Sequence, residues 1–283
     1  MVSPRIIGSM SQSPPNQSPP VMDEKFWIDF LEQGGDTMMG LGRRVFKRIP
    51  SEPRCLMCAS PFAGAGAPIM RLIGKRQSSA NPNWCTSCSD FMAKHHGGAE
   101  TNGAFLFADI RGSTSLAERM SPQEFHALLD RYFAAATAAV FKYDGFVDKF
   151  VGDELVALFF PLLAGQEYVP RAVAAAQEIL RATGHQEPNG PWAPVGIGVH
   201  MGRAWFGVVG EDAHSELTAV GDSVNVAARL GSAAKTGEIL ISAETAAASN
   251  LDPSLERRTL DLKGKSLGTE VVSLRIGPPH AVR

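Results

Sequence analysis

The 283-residue sequence predicts an α+β fold, with helices packed on a mixed sheet and a small cysteine-bearing module ahead of it. Three observations predict it. Apolar strand-like runs alternate with helix-period segments along the C-terminal part of the chain. A Gly152-Asp153 pair joins two of those runs as a tight hairpin. All four cysteines fall as two C-x-x-C pairs before the first long strand. The length allows one full domain and a smaller module.

Residues 1–22 contain SQSPPNQSPP, which cannot bury a core, and are expected to be disordered. Residues 23–49 read as a short helical linker. The acidic, aromatic stretch DEKFWIDFLEQ predicts one amphipathic helix, which Gly34-Gly35 breaks. Residues 50–98 form the four-cysteine module. The main domain, residues 103–276, starts with a strand at Ala104–Ile110. Ser121-Pro122-Gln123-Glu124 then opens a helix: serine caps, proline fits the first turn, and Glu124 completes a capping box. Phe125, Leu128, Leu129, Tyr132, Phe133, Ala136 and Val140 recur behind it at helical spacing. Phe146–Val151 and Glu154–Phe160 are the hairpin. A second helix spans Arg171–Thr183 and stops at Gly184. Strands at Val195–Met201 and Trp205–Val209 follow, then a helix at Ser223–Ala234 and a strand at Glu238–Ser242. Two more strand-like runs lie between Arg257 and Ile276, before a disordered tail at 277–283.

Composition narrows the function. Apolar residues at 44% and charged residues at 20% describe a soluble globular protein, and the formal charge of −2 gives no electrostatic case for nucleic acid or an anionic membrane. No apolar run approaches the roughly 20 residues that span a bilayer. The N-terminus lacks a sustained apolar stretch of the signal-peptide kind, so the expected location is the cytoplasm.

Chemistry concentrates in three segments. Asp109 in FLFADIRGST and Asp153 in DKFVGDELVALFF each sit beside a glycine at the edge of an apolar run. Hard carboxylate oxygens in such places suit Mg²⁺ or Mn²⁺ over a polyphosphate. Taken singly, each is an ordinary turn or strand-end aspartate. The third segment, TAVGDSVNVAARL at 218–230, puts Asn225 and Arg229 four apart on one helix face. Together, and in this order, the three segments resemble the catalytic domain of class III nucleotidyl cyclases of the bacterial adenylate cyclase type. The resemblance runs from about Gly103 to Ile276.

The resemblance implies a ferredoxin-like βαββαβ core with additions. It implies conversion of ATP to 3′,5′-cyclic AMP and pyrophosphate for intracellular signalling, with two Mg²⁺ or Mn²⁺ ions per active site. Asp109, Asp153 and the backbone carbonyl of Ile110 are then the metal ligands. Ser113 and Thr114 hold the β- and γ-phosphates, although many members carry phenylalanine where Ser113 stands. Lys263 in LDLKGKS reaches the triphosphate. Asn225 orients the ribose and Arg229 stabilises charge on the α-phosphate. Lys149 and Thr218 occupy the base-reading positions: a lysine donates to adenine N1 and a threonine accepts from its exocyclic amine. In the family the metal aspartates come from one protomer and the other pairs from its mate, so the resemblance implies a homodimer with shared sites. Two alternatives stay open, a guanylate or relaxed-specificity cyclase and a catalytically silent cyclase-fold module. The sequence names no regulatory partner.

Cys55-x-x-Cys58 and Cys85-x-x-Cys88 supply four thiolates for a tetrahedral site, so the module is expected to be zinc-ribbon-like with structural Zn²⁺. An iron–sulfur cluster and redox thiols are the other readings. Arg71, Lys75 and Arg76 make a small basic patch in the same module.

Overall fold

The computed structural model describes residues 23–32, 38–49, 53–79, 81–210, 216–261 and 268–276. The expected tails at 1–22 and 277–283, Gly34-Gly35 and Lys263 lie outside the described residues. In chain order the elements are α1 (Glu24–Glu32), α2 (Met38–Lys47), α3 (Ala67–Leu72), α4 (Thr86–Lys94), β1 (Gly97–Ile110), α5 (Ser113–Arg119), α6 (Pro122–Lys142), β2 (Phe146–Val151) and β3 (Glu154–Phe159). They continue with α7 (Pro161–Ala164), α8 (Tyr168–Ala182), β4 (Val195–Val209), β5 (Glu216–Val220), α9 (Asp222–Ala233), β6 (Glu238–Ser242), α10 (Ala243–Ala248), β7 (Glu256–Leu260) and β8 (Thr269–Arg275).

The strands form one mixed sheet in the order β2-β3-β1-β4-β6-β8-β7, with β5 paired to β4. Within it, β1-α6-β2-β3-α8-β4 is a βαββαβ unit whose four strands are antiparallel in the order β2-β3-β1-β4, as a ferredoxin-like core requires. The remaining strands extend this core through a parallel β4–β6 pair.

Strand β1 explains why the core has two sides. Leu106, Ala108 and Ile110 face α6 and α8, in a cluster with Tyr132, Val140 and Ile179. The alternate residues Phe105 and Phe107 face the other way, in a cluster with Phe206, Trp27, Met57 and the four cysteines. A strand buried on both faces reads as a continuous apolar run, which is what FLFADI is. The cysteine module and α1 therefore share a hydrophobic core with the sheet; they are not tethered beside it. The segment read as a linker holds two helices where one was expected. In it Trp27, Leu31 and the side chain of Arg43 are buried.

Helix α6 begins as its sequence predicts. Ser121 accepts from the Glu124 backbone amide, and the Glu124 carboxylate accepts from the Ser121 amide. Three expectations are corrected. The strands expected at 195–201 and 205–209 are one strand, β4, because β1 starts at Gly97 and not at Ala104. The extra residues pair Gly103 with Gly202 and Thr101 with Ala204, carrying β4 through its polar middle. Helix α8 starts at Tyr168, three residues before the expected Arg171. Strand β5 and helices α3, α4, α7 and α10 were not anticipated.

Candidate active site and cysteine centre

The β2–β3 hairpin carries Asp153 to the end of β1. Val151 pairs with Glu154 across a two-residue turn, in which Gly152 adopts φ +64°, a left-handed conformation that costs glycine nothing. Asp109 pairs with Glu154 in the neighbouring register, so the Asp109 and Asp153 carboxylates meet. Burial first, then the hydrogen bond to Asp153, push the Asp109 carboxyl up to about 7, while the Arg111 guanidinium beside it pulls the other way. Arg111 pairs with Asp109 Oδ2 and also donates to the Ser232 carbonyl at 3.0 Å, tying this corner to the C-terminal end of α9. The Asp153 Oδ2 atom is buried with no hydrogen-bond partner among the described residues. Two abutting carboxylates, one with an orphaned oxygen, form a set of hard donors that fits Mg²⁺ or Mn²⁺. Ile110 ends β1 beside them, and Gly112, at φ +71°, turns the chain so that Ser113 and Thr114 open α5.

A second group gathers around β5. Lys149 Nζ donates to Thr218 Oγ1 at 3.2 Å, and Thr218 Oγ1 in turn donates to Asp148 Oδ2 at 3.0 Å. Lys149 Nζ lies 3.5 Å from that same oxygen. The structure thus brings together the two residues assigned to the base, although they are separated by 69 positions in sequence. It adds Asp148, which sequence reasoning missed. Consecutive strand residues normally point to opposite faces, but the β2–β3 register shifts between Val147 and Lys149, and this bulge re-aims Asp148 and Lys149.

Helix α9 carries Asn225 and Arg229. Gly198 and Gly231 let it lie against the sheet, since a Cβ on Gly198 would stand 2.1 Å from the Gly231 nitrogen. Among the described residues, neither the Asn225 nor the Arg229 side chain makes a hydrogen bond or an ion pair, and Arg229 is half-buried. Asn225 lies near the start of α9, nine residues from Ala234, whose carbonyl Arg111 also reaches. At 1.5 Å per residue that is roughly 13 Å of helix rise. Asn225 therefore lies at the opposite end of α9 from the carbonyls that Arg111 reaches. His200 Nδ1 lies 2.8 Å from Ser242 Oγ.

The four cysteines converge from two turns. Their sulfurs all lie within 4.8 Å of one another, all four residues are buried, and all four thiols are free. Cys58 Sγ stands 3.7 Å from Cys85 Sγ. Four sulfurs at 2.3 Å from a tetrahedral ion are roughly 3.8 Å apart, so the spacing fits a metal of the zinc kind. The Cys85 amide donates to Cys55 Sγ at 3.2 Å, and Lys75 Nζ lies 3.9 Å from Cys58 Sγ. Hydrogen bonds, those with Cys55 foremost, hold the Cys58 thiol down and the Cys85 thiol at about 6, while the other three sulfurs drive Cys88 up. A bound cation would satisfy all four as thiolates.

Arg43 joins this centre to the sheet. Its guanidinium donates to the Leu56 and Met57 carbonyls between the first two cysteines, both at 2.6 Å, and to the Gly145 carbonyl at 3.2 Å. Asp144, in the turn before β2, receives Arg43 at 3.4 Å, Lys47 at 2.8 Å, and Arg171. Burial would raise the Asp144 carboxyl, but these cations, Lys47 foremost, hold it below the usual carboxylate range.

The sequence profile of the adenylate and guanylate cyclase catalytic domain matches residues 99–273. An adenylate cyclase of Anabaena cylindrica is 36% identical over 131 residues, 44% of this chain and 26% of that protein. The chain thus spans about a quarter of the length of that relative. The solved guanylyl cyclase Cya2 superposes with a TM-score of 0.57 at 27% identity, covering 66% of this chain and 98% of that one. The adenylyl cyclase CyaB from P. aeruginosa gives 0.54 at 28% identity, covering 62% and 95%. Among the described residues, no helix is long and apolar enough to cross a membrane.

Proposed function

Because the chain belongs to the adenylate and guanylate cyclase catalytic domain family, we propose that it is an adenylate cyclase, converting ATP to 3′,5′-cyclic AMP and pyrophosphate in the cytoplasm. The observation that carries the choice of base is the 3.2 Å contact between Lys149 Nζ and Thr218 Oγ1. The lysine donates to adenine N1, and the threonine accepts from the exocyclic amine. Guanine presents a protonated N1 and a carbonyl at those edges, which leaves polar groups unpaired and is rejected for that reason.

Asp109, Asp153 and the Ile110 carbonyl would hold two Mg²⁺ or Mn²⁺ ions, which when bound lower the pKa of the ribose 3′-hydroxyl and neutralise the triphosphate. Ser113, Thr114 and Lys263 hold the β- and γ-phosphates, so that pyrophosphate leaves opposite the attacking 3′-oxygen. Asn225 orients the ribose. Arg229 stabilises the charge that develops on the α-phosphate. The placing of Asn225 at the opposite end of α9 from the carbonyls that Arg111 reaches supports a shared site, in which a two-fold homodimer sets one protomer's aspartates against its partner's amide and guanidinium. The cysteine module, by this proposal, binds structural Zn²⁺ and stiffens the second face of the sheet.

Purified protein assayed with Mn²⁺-ATP and Mn²⁺-GTP, reading cyclic product and pyrophosphate, tests this function. Cyclic AMP at the higher kcat/KM is expected. Cyclic GMP at the higher value overturns the substrate, and the similarity to a guanylyl cyclase makes that the second reading. Absence of both products leaves a silent cyclase-fold module.

A further inference from the structure

We infer that Asp148 is a specificity-determining positioning residue, which selects adenine by accepting the hydrogen bond of the Thr218 hydroxyl. This rests on the ATP-cyclase function proposed above and extends it to a residue that the base-reading pair does not include.

A threonine hydroxyl is ambiguous, because it both donates and accepts. Left free, Thr218 offers a lone pair to an exocyclic amine or a proton to an exocyclic carbonyl, and so does not separate adenine from guanine. The chain removes that freedom. Thr218 Oγ1 donates to Asp148 Oδ2 at 3.0 Å, and an ionised carboxylate is an acceptor only. Lys149 Nζ donates to the same hydroxyl at 3.2 Å. With its proton committed and one lone pair used, Thr218 has only an acceptor to show a ligand.

Three features mark Asp148 as placed for this task. Its side chain is only 3% exposed, unusual for an aspartate without a close cation on each oxygen. The bulge between Val147 and Lys149 aims two consecutive residues at one hydroxyl, which a regular strand forbids. Its second oxygen, Oδ1, is buried with no hydrogen-bond partner among the described residues, a cost a fold tolerates where a ligand brings the missing donor. Burial raises its carboxyl only to about 6, so the group is ionised at neutral pH.

The test is the ratio of kcat/KM for ATP over GTP, measured on the full chain with Mn²⁺. Asp148→Asn keeps the shape but offers an amide that donates to Thr218, turning the hydroxyl proton outward. The ratio is expected to fall about tenfold, by loss of adenine turnover and gain of guanine turnover. In a Thr218→Val background the same Asp148→Asn change is expected to leave the ratio unmoved, because Asp148 acts through the hydroxyl. If Asp148→Asn does not fold, Asp148→Ala, which frees the hydroxyl without adding a donor, is read by the same ratio. An unchanged ratio in a folded variant, even with both activities lowered together, overturns the inference and leaves the ATP-cyclase function standing. So does a shift of equal size in both backgrounds. A wild-type protein that prefers GTP, or makes neither product, overturns the proposed function first and this inference with it.

Discussion

Arg43→Met isolates the bridge between the cysteine centre and the catalytic sheet. Arg43 is 1% exposed and donates to three backbone carbonyls, those of Leu56, Met57 and Gly145, as well as to Asp144. Methionine replaces much of the stem but none of the donors. A buried carbonyl left without its partner costs about 1–3 kcal/mol, and part of that is recovered by local shifts or water. Asp144 is not left bare, since Lys47 and Arg171 remain. Burial lowers the Arg43 pKa against the pull of Asp144, so the wild-type charge itself carries a desolvation cost. Three carbonyls losing their donor at that cost, less what relaxation and relief of the buried charge return, leave a destabilisation of about 3–5 kcal/mol. At about 2–4 °C per kcal/mol for a chain of this size, Tm is expected to fall by about 10 °C. The assay is thermal unfolding of the metal-loaded full chain by circular dichroism, with Arg171→Met as control. Arg171 is 37% exposed and reaches the same aspartate from the solvent side, so its loss is expected to cost about 1 kcal/mol or less. A Tm for Arg43→Met within about 2 °C of wild type, or a control shift as large, refutes the bridge.

Asp148 carries a pH signature of its own. Its carboxyl is raised from 3.8 to about 6, so ionising it in the folded state costs stability that is absent below about pH 4, grows as pH rises, and is complete above about pH 7. At 1.36 kcal/mol per pKa unit that is about 3 kcal/mol; net of exchanging a charge-assisted Thr218 hydrogen bond for a weaker, reversed one, Asp148→Asn is expected to raise Tm by about 5 °C at pH 8 and to lose that advantage at pH 4. Removal of metal by a chelator, or Cys55→Ser with Cys58→Ser, is expected to lower Tm by at least 10 °C and to abolish a one-per-chain zinc content by elemental analysis; an unchanged Tm with no zinc in wild type counts against a structural ion. Mixing Asp109→Ala chains with Asn225→Ala chains is expected to restore part of the turnover that each lacks alone; no recovery despite demonstrated heterodimers removes the shared site.

Local chemistry made much of the fold legible from residues alone. The Ser121–Glu124 box, the Gly152-Asp153 turn and the helical spacing behind Phe125 act over a few positions, and each appears where the sequence placed it. The two C-x-x-C pairs likewise predicted sulfurs that converge. Where the reading failed, the deciding partner was distant. Gly202–Ala204 looks like a break between strands until Gly103–Thr101, a hundred residues earlier, supplies its hydrogen bonds. The DEKFWIDFLEQ helix looks like a linker until its Trp27 and Leu31 find the sheet face that the cysteine module also covers.

The sequence by itself singled out the residues expected to bind metal, base and phosphate, because carboxylates beside glycines, paired thiols and an i, i+4 amide–guanidinium pair are chemical statements needing no third dimension. Only the tertiary structure decided how those residues act together. It set Lys149 against Thr218 across 69 positions, turned Asp148 toward the same hydroxyl through one extra residue in a strand, and drew Arg43 between the cysteine turn and the root of β2. Such pairings depend on strand register and on burial, and both are fixed by the packing of the whole chain, which no short stretch of sequence encodes.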